Sequence, residues 1–305
     1  MAEDYPRTRL ELEARFREES ACRAYLGRLR WPDGFACPHC QGQKAWPMRG
    51  GRWLCAGCRA QLSVTAGTVF QDSKLPLTVW FRAMWQMTSQ KNGVSALGLQ
   101  RELGFGSYKT AWTVLHKLRR AMVRPGRDRL HGVVEVDEAY WGGEEPGVRG
   151  RLTYAKARIA VAAEAAGPGV GRIRLRQIPD TSRKTLHGFI TAGIEPGSTV
   201  QTDGWPAYRE LQGYVHVAQV QRGRPKAAEA LLPRVHRVIS LLRRWLLGTH
   251  QGAVAAAYLQ DYLDEFTFRF NRRTSASRGK LFYRLAQQAV QVAPTTHANL
   301  GHHQR

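Results

Sequence analysis

The stretch Val133-Val134-Glu135-Val136-Asp137-Glu138-Ala139-Tyr140-Trp141-Gly142-Gly143 decides how this chain is read. Val134 and Val136 alternate with Glu135 and Asp137, which is the period of a strand with one buried face. The run ends in Gly142-Gly143, a signal for chain reversal. A strand puts Asp137 on the face opposite Val134 and Val136. A carboxylate held at the end of a rigid strand is a good first ligand for a hard cation. A lone acid at a strand end is more often simply solvated, so the weight of Asp137 rests on its surroundings.

On the C-terminal side, residues 157–163, 171–178, 198–202 and 214–219 read as further strands, and 182–192, 227–247 and 254–270 as helices. Together they predict one α/β domain over residues 130–272, a mixed sheet covered by helices. The fourth strand runs into Gln201-Thr202-Asp203-Gly204-Trp205-Pro206-Ala207-Tyr208. Asp203 stands where that strand ends, and Gly204 lets the chain turn sharply. Two-metal phosphoryl chemistry needs a third ligand. The 227–247 helix offers His236, with Arg243 seven residues on, about two turns along one face. The competing role for this pair is packing at the helix start and a solvated charge. Residues 273–305 contain Arg273, Arg278, Lys280 and Arg284 with no acid between them. They read as a basic C-terminal tail, either solvated or an arm that contacts phosphates.

On the N-terminal side, residues 73–125 read as a helix-turn-helix region. A helix over 76–90 places Trp80, Met84 and Met87 at core spacing. Val94–Gly104 and Ser107–Leu118 follow, with Ser107 as the cap of the second helix. Ala111, Leu115 and Leu118 would face inward, leaving Tyr108, Lys109 and Thr113 to meet DNA. A plain helical hairpin is the alternative. Residues 31–72 carry Cys37-Pro38-His39-Cys40 and Cys55-Ala56-Gly57-Cys58. Each pair suits a knuckle and the spacer a hairpin, so four thiolates close a tetrahedral zinc site. A closed site has no open position, so this zinc is structural; His39 is an alternative ligand. Residues 1–30 read as a helical segment with Cys22 in its apolar pattern.

The balance of the whole chain sets the class of partner. Its 305 residues carry 46 Lys and Arg against 24 Asp and Glu, a net charge of +22. Such an excess points to a polyanion, most simply double-stranded DNA. Five cysteines, four of them in two tight pairs, suit metal binding in a reducing compartment better than disulfides. No run of eighteen apolar residues occurs and the N-terminus has no apolar signal core, so a cytoplasmic protein is expected, with no membrane partner.

Seven stretches taken together carry a further reading: WPDGFACPHC (31–40), SVTAGTVFQDSKLPLTVWF (63–81), KNGVSALGLQRELG (91–104), EVDEAYWGG (135–143), TDGWPAY (202–208), RWLLGTHQG (244–252) and YLDEFTFRFNRR (262–273). They resemble the DDE-superfamily transposases of bacterial insertion sequences. The branch is the one with an N-terminal zinc ribbon, a helix-turn-helix and a ribonuclease-H-like catalytic domain. The resemblance implies that Asp137 and Asp203 are the first two catalytic acids. His236 stands where most members carry Glu, and Arg243 where Lys or Arg follows. It implies Mg²⁺ or Mn²⁺ on Asp137, Asp203 and His236, with Glu138 on the other strand face. It further implies phosphate contacts from Arg243, as Lys109 would make from the helix-turn-helix. The activity implied is cleavage of element ends and their transfer to target DNA by a homodimer at the nucleoid. Two rivals are a DNA-binding relative that no longer cuts and a ribonuclease-H-like nuclease without strand transfer.

Overall fold

A computed structural model describes residues 3–124, 126–145, 153, 155–219, 231–297, 299 and 300. The chain divides into two compact units. One combines residues 1–124 with 274–302, and the other spans Pro125–Arg273.

The first unit begins with helices α1 (Arg9–Arg15) and α2 (Glu19–Arg30). Strands β1 (Ala45–Met48), β2 (Arg52–Cys55) and β3 (Gln61–Ser63) then form a small antiparallel sheet. The β1–β2 hairpin turns at Gly50 and Gly51, both at positive φ, where a side chain would be strained. Helices α3 (Leu77–Ser89), α4 (Ala96–Leu103) and α5 (Tyr108–Ala121) follow. Ser95 and Ser107 cap α4 and α5, each accepting a backbone N–H of the first turn. Trp80, Met84 and Met87 are buried in α3, as are Ala111, Leu115 and Leu118 in α5.

One expectation needs correction. Residues 278–289 do not trail as a basic tail; Arg278–Ala289 is a helix belonging to the first unit. Leu281, Phe282, Leu285, Ala286 and Ala289 are buried along it. The Phe282 ring meets Phe81 at 5.5 Å, edge to face. Lys280 and Arg284 both pair with Glu3 at the surface of the same unit.

The second unit is built on a five-stranded sheet. Its strands are β4 (Val133–Trp141), β5 (Ala157–Ala166), β6 (Gly169–Ile178), β7 (Thr199–Thr202) and β8 (Val215–Ala218). The order is β6-β5-β4-β7-β8. β5 runs antiparallel to both β4 and β6, whereas β7 and β8 run parallel to β4. Helix α6 (Arg183–Gly193) covers one face, burying Leu186, Phe189 and Ile190 against Val134, Val136 and Ala162. Helices α7 (Pro233–His250) and α8 (Leu259–Phe270) cover the other, packing Val235, Leu242, Leu263 and Phe266 on Ala139, Ile159 and Val161. This is a ribonuclease-H-like sheet with β4 at its centre. Residues 227–230, expected to open α7, lie outside the described residues; the helix is seen from Pro233, a good first residue because its missing N–H is not needed there. Among the described residues no helix is long and apolar enough to cross a membrane.

Glu164 fastens the antiparallel side of this sheet. Its carboxylate accepts the backbone N–H groups of His131 and Arg172 and two bonds from the Arg172 guanidinium. Burial alone would raise its pKa, but Arg172 and the N–H donors overcome this and hold it at about 2. A depressed acid stabilises the fold above its unfolded pKa and loses that contribution as pH falls through the folded value. Glu164→Gln should therefore cost on the order of 2 kcal/mol at neutral pH. The gap between variant and parent in urea unfolding should narrow below pH ~4.5 and close near pH ~2.

Candidate metal and nucleic-acid sites

The two Cys pairs form one turn used twice. The Gln41 and Arg59 N–H groups return to the Cys37 and Cys55 carbonyls at 2.9 and 3.1 Å. The Cys37 and Cys55 N–H groups bond the carbonyls of Gly42 and Ala60 at 3.0 and 2.9 Å. Gln41 and Arg59 both take positive φ, 59° and 61°, as a tight knuckle demands. The sulfurs of Cys37 and Cys58 are 3.7 Å apart, those of Cys40 and Cys55 3.5 Å. All four lie within 4.8 Å of one another. Sulfurs about 2.3 Å from one zinc at tetrahedral corners stand ~3.8 Å apart, whereas a disulfide needs ~2.05 Å. The four cysteines therefore fit a structural zinc. Gly42 and Gly57 crowd the site, since a Cβ on either would come within 3.4 Å of the Cys40 sulfur. The Cys58 and Gly57 N–H groups draw the Cys55 thiol down to about 6. Cys58 is favoured as thiolate by the Ala60 N–H, yet Cys40 and its other thiol neighbours hold it up at about 12. Such a cluster is discharged by a cation, not by loss of all its protons to water.

The second site lies on β4. Asp137 is mostly buried, and its Oδ2 is 3.2 Å from His236 Nε2 on α7. Its Oδ1 accepts the Glu138 N–H at 2.8 Å. Asp203 follows β7, with Oδ1 accepting the Trp205 N–H at 3.0 Å while Gly204 turns at φ 81°. The parallel register pairs Val133 with Thr199 and Glu135 with Gln201. Asp137 is the middle residue of β4, not its end, and Asp203 comes directly after the last residue of the neighbouring β7. The fold thus brings His236 to Asp137, 99 positions away in sequence, and Asp203 follows the strand paired with β4.

Arg243 is exposed two turns along α7 from His236. It lines a cleft of about 770 Å³ with Trp141, Gly142, Lys156 and Leu247. Lys156 was not singled out from the sequence, where nothing local marks it. Lys109 is exposed at the start of α5, with Tyr108 beside it 53% exposed. Two further residues of the strand site were also missed as partners. Glu135 holds the start of α7, and Tyr208 donates to Glu138 behind Asp137.

Comparison with known proteins agrees with this architecture. Residues 129–271 match the family model of the ISXO2-like transposase domain, and residues 17–61 match the transposase zinc-ribbon domain. The chain thus carries a region similar to an insertion-sequence transposase domain, preceded by one similar to a transposase zinc ribbon. A relative from Halobacterium salinarum, an uncharacterized protein in transposable element ISH50, is 27% identical over 267 residues, covering 80% of this chain and 88% of its own. A chain from the cryo-EM structure of the simian T-cell lymphotropic virus intasome in complex with PP2A regulatory subunit B56 gamma is 14% identical. That alignment covers 72% of this chain and 71% of the other, with a TM-score of 0.26, too low to carry an argument.

The zinc assignment has a direct check. Purified protein should contain close to one zinc per chain by atomic absorption. Cys40→Ser should release most of it and expose the remaining thiols to alkylation. Full zinc content in that variant would remove Cys40 from the site.

Proposed function

We propose that this chain is a metal-dependent transposase that cuts DNA at the ends of its element and joins them to a target, with Asp137, Asp203 and His236 as its catalytic residues. The observation that carries this is the 3.2 Å approach of His236 to Asp137 on a strand whose parallel neighbour, β7, leads into Asp203. Adjacent ligands of an octahedral ion at ~2.1 Å stand about 3.0 Å apart, so the imidazole and the carboxylate suit one shared cation. Asp203, directly after the neighbouring strand β7, suits a second. A pair of Mg²⁺ or Mn²⁺ ions in such a site supplies activation of the attacking hydroxyl and stabilisation of the leaving oxygen in an in-line displacement.

The remaining roles fall to the protein's own groups. Asp137 contributes one oxygen to each side of the site. His236 presents Nε2 from a helix and Asp203 a carboxylate from a tight turn, so neither depends on a mobile loop. Arg243 holds a DNA phosphate near the scissile bond, with Lys156 across the same cleft. Lys109 and Tyr108, exposed at the N-terminus of α5, contact the phosphates and grooves of the element end. Two ends must be held together for transfer, which calls for a homodimer on DNA.

Asp137→Ala and Asp203→Ala should each lower cleavage of element-end DNA by about a thousandfold or more, with binding by gel shift unchanged. His236→Glu should move the metal preference from Mn²⁺ towards Mg²⁺, because carboxylate is the harder ligand. Binding without metal-dependent cleavage by the parent chain would instead mark an inactive relative.

Lys109→Glu should weaken end binding and reduce the slope of log K against log salt by about 1. An unchanged slope would place the phosphate contact elsewhere.

A further inference from the structure

The stretch Glu135-Val136-Asp137-Glu138 carries three acids, and the proposed function uses one. The other two are engaged on opposite faces of β4. Glu135 is 1% exposed and shares the face of Asp137. One of its oxygens accepts the backbone N–H groups of Arg234 and Val235 at 2.7 and 2.9 Å, and the other accepts the Arg234 guanidinium at 2.8 Å. These are N–H groups of the first turn of α7, which have no partner within the helix. Leu232, at the N-cap of α7, makes no side-chain cap hydrogen bond. The strand supplies it instead, two residues before Asp137, and the next helical residue is His236.

Glu138 points the other way. It accepts a hydrogen bond from the Tyr208 hydroxyl, and Tyr208 is fully buried. The Tyr208 N–H holds the Trp205 carbonyl at 3.0 Å, and the Trp205 N–H holds Asp203 Oδ1 at 3.0 Å. From Glu138 a short chain of bonds thus runs to the carboxylate of Asp203.

We infer that Glu135 and Glu138 are positioning residues for the metal site, Glu135 aiming His236 through the start of α7 and Glu138 aiming Asp203 through Tyr208. The strand then fixes all three ligands, one directly and two through its flanking acids. The inference rests on the proposal that Asp137, His236 and Asp203 hold metal. It differs from a simple stability role, because each glutamate acts on one particular ligand. Groups that orient metal ligands typically cost ten- to a hundredfold in metal affinity when removed.

The test is Mn²⁺ binding to the full chain followed by electron paramagnetic resonance, with pulsed detection of nitrogen coupled to the ion. The parent should bind Mn²⁺ with a nitrogen coupling that His236→Ala abolishes. Glu135→Gln puts an amide NH₂ against the Arg234 donors; it should lose most of that coupling and weaken binding about tenfold or more. Glu135→Asp is measured in the same way in case the Gln variant does not fold. Tyr208→Phe should weaken binding but keep the coupling, because it acts on Asp203. Glu138→Gln should be close to the parent, because the Gln carbonyl still accepts from Tyr208. Parent-like coupling and affinity in both folded Glu135 variants would overturn the role of Glu135. Parent-like affinity in Tyr208→Phe would overturn that of Glu138. Mn²⁺ binding that survives Asp137→Ala would instead remove the metal reading on which both depend.

Discussion

A buried carboxylate under the end of a helix holds the second unit together. Taking an ionised acid out of water costs several kcal/mol unless donors replace the solvent. Glu135 has such donors in the Arg234 and Val235 N–H groups and the Arg234 guanidinium. Arg234 in turn reaches the Gly167 and Gly169 carbonyls at the β5–β6 turn, so the contact ties three segments together. A helix laid on a sheet by apolar contacts alone can slide or rotate by a residue at modest cost. One whose first N–H groups must meet a fixed carboxylate cannot. Val235 and Val238 then fall into the core, and His236 falls beside Asp137.

The positive charge of the chain is divided in a way that composition does not reveal. Arg30 donates to the Ser63 and Val64 carbonyls, and Arg174, 6% exposed, to those of Ile173 and Asp128. Arg172 and Arg234 serve buried acids. These residues hold the fold, and what remains for a polyanion is the exposed set that includes Lys109 and Arg243. The zinc ribbon follows a different economy of structure. Its strands are three or four residues long, and its buried cluster is Cys37, Cys55 and Leu62 with Phe35, Trp53 and Ala60 packed alongside. So small a core is held by its metal more than by apolar burial.

Local signals made much of this legible in advance. The Val/acid alternation gave β4, the two Cys pairs gave the ribbon, and Ser107 marked the start of α5. The C-terminal segment misled because its lack of acids drew attention away from its pattern. Leu281, Phe282, Leu285, Ala286 and Ala289 recur at helical spacing, and they are the residues buried in the first unit. Within the strand site, Asp203 could be picked out because it follows a strand at a turn, whereas Asp137, expected at a strand end, lies in the middle of β4. The partners of Glu135 and Glu138 could not, since they lie 99 and 70 positions away and only the sheet register brings them near. An acid beside a catalytic acid reads as redundancy until its partner is known.

The same geometry gives a reason for an imidazole at position 236. Asp137 lies midway along β4, Asp203 follows the neighbouring β7, and Glu135 lies two strand residues behind Asp137, roughly 7 Å away. Glu135 is matched by Arg234, and Asp137 by His236. A carboxylate at 236 would bring a third negative charge to within hydrogen-bonding distance of Asp137 at the moment the helix docks. Like charges at that range cost several kcal/mol in a partly buried setting. A neutral imidazole can donate to Asp137 instead, so the helix seats without waiting for a cation. The counterpart is a weaker hold on a hard ion such as Mg²⁺. On this argument the exchange of Glu for His shifts the burden of ordering the site from the metal to the protein, and Glu135 is the group that carries it.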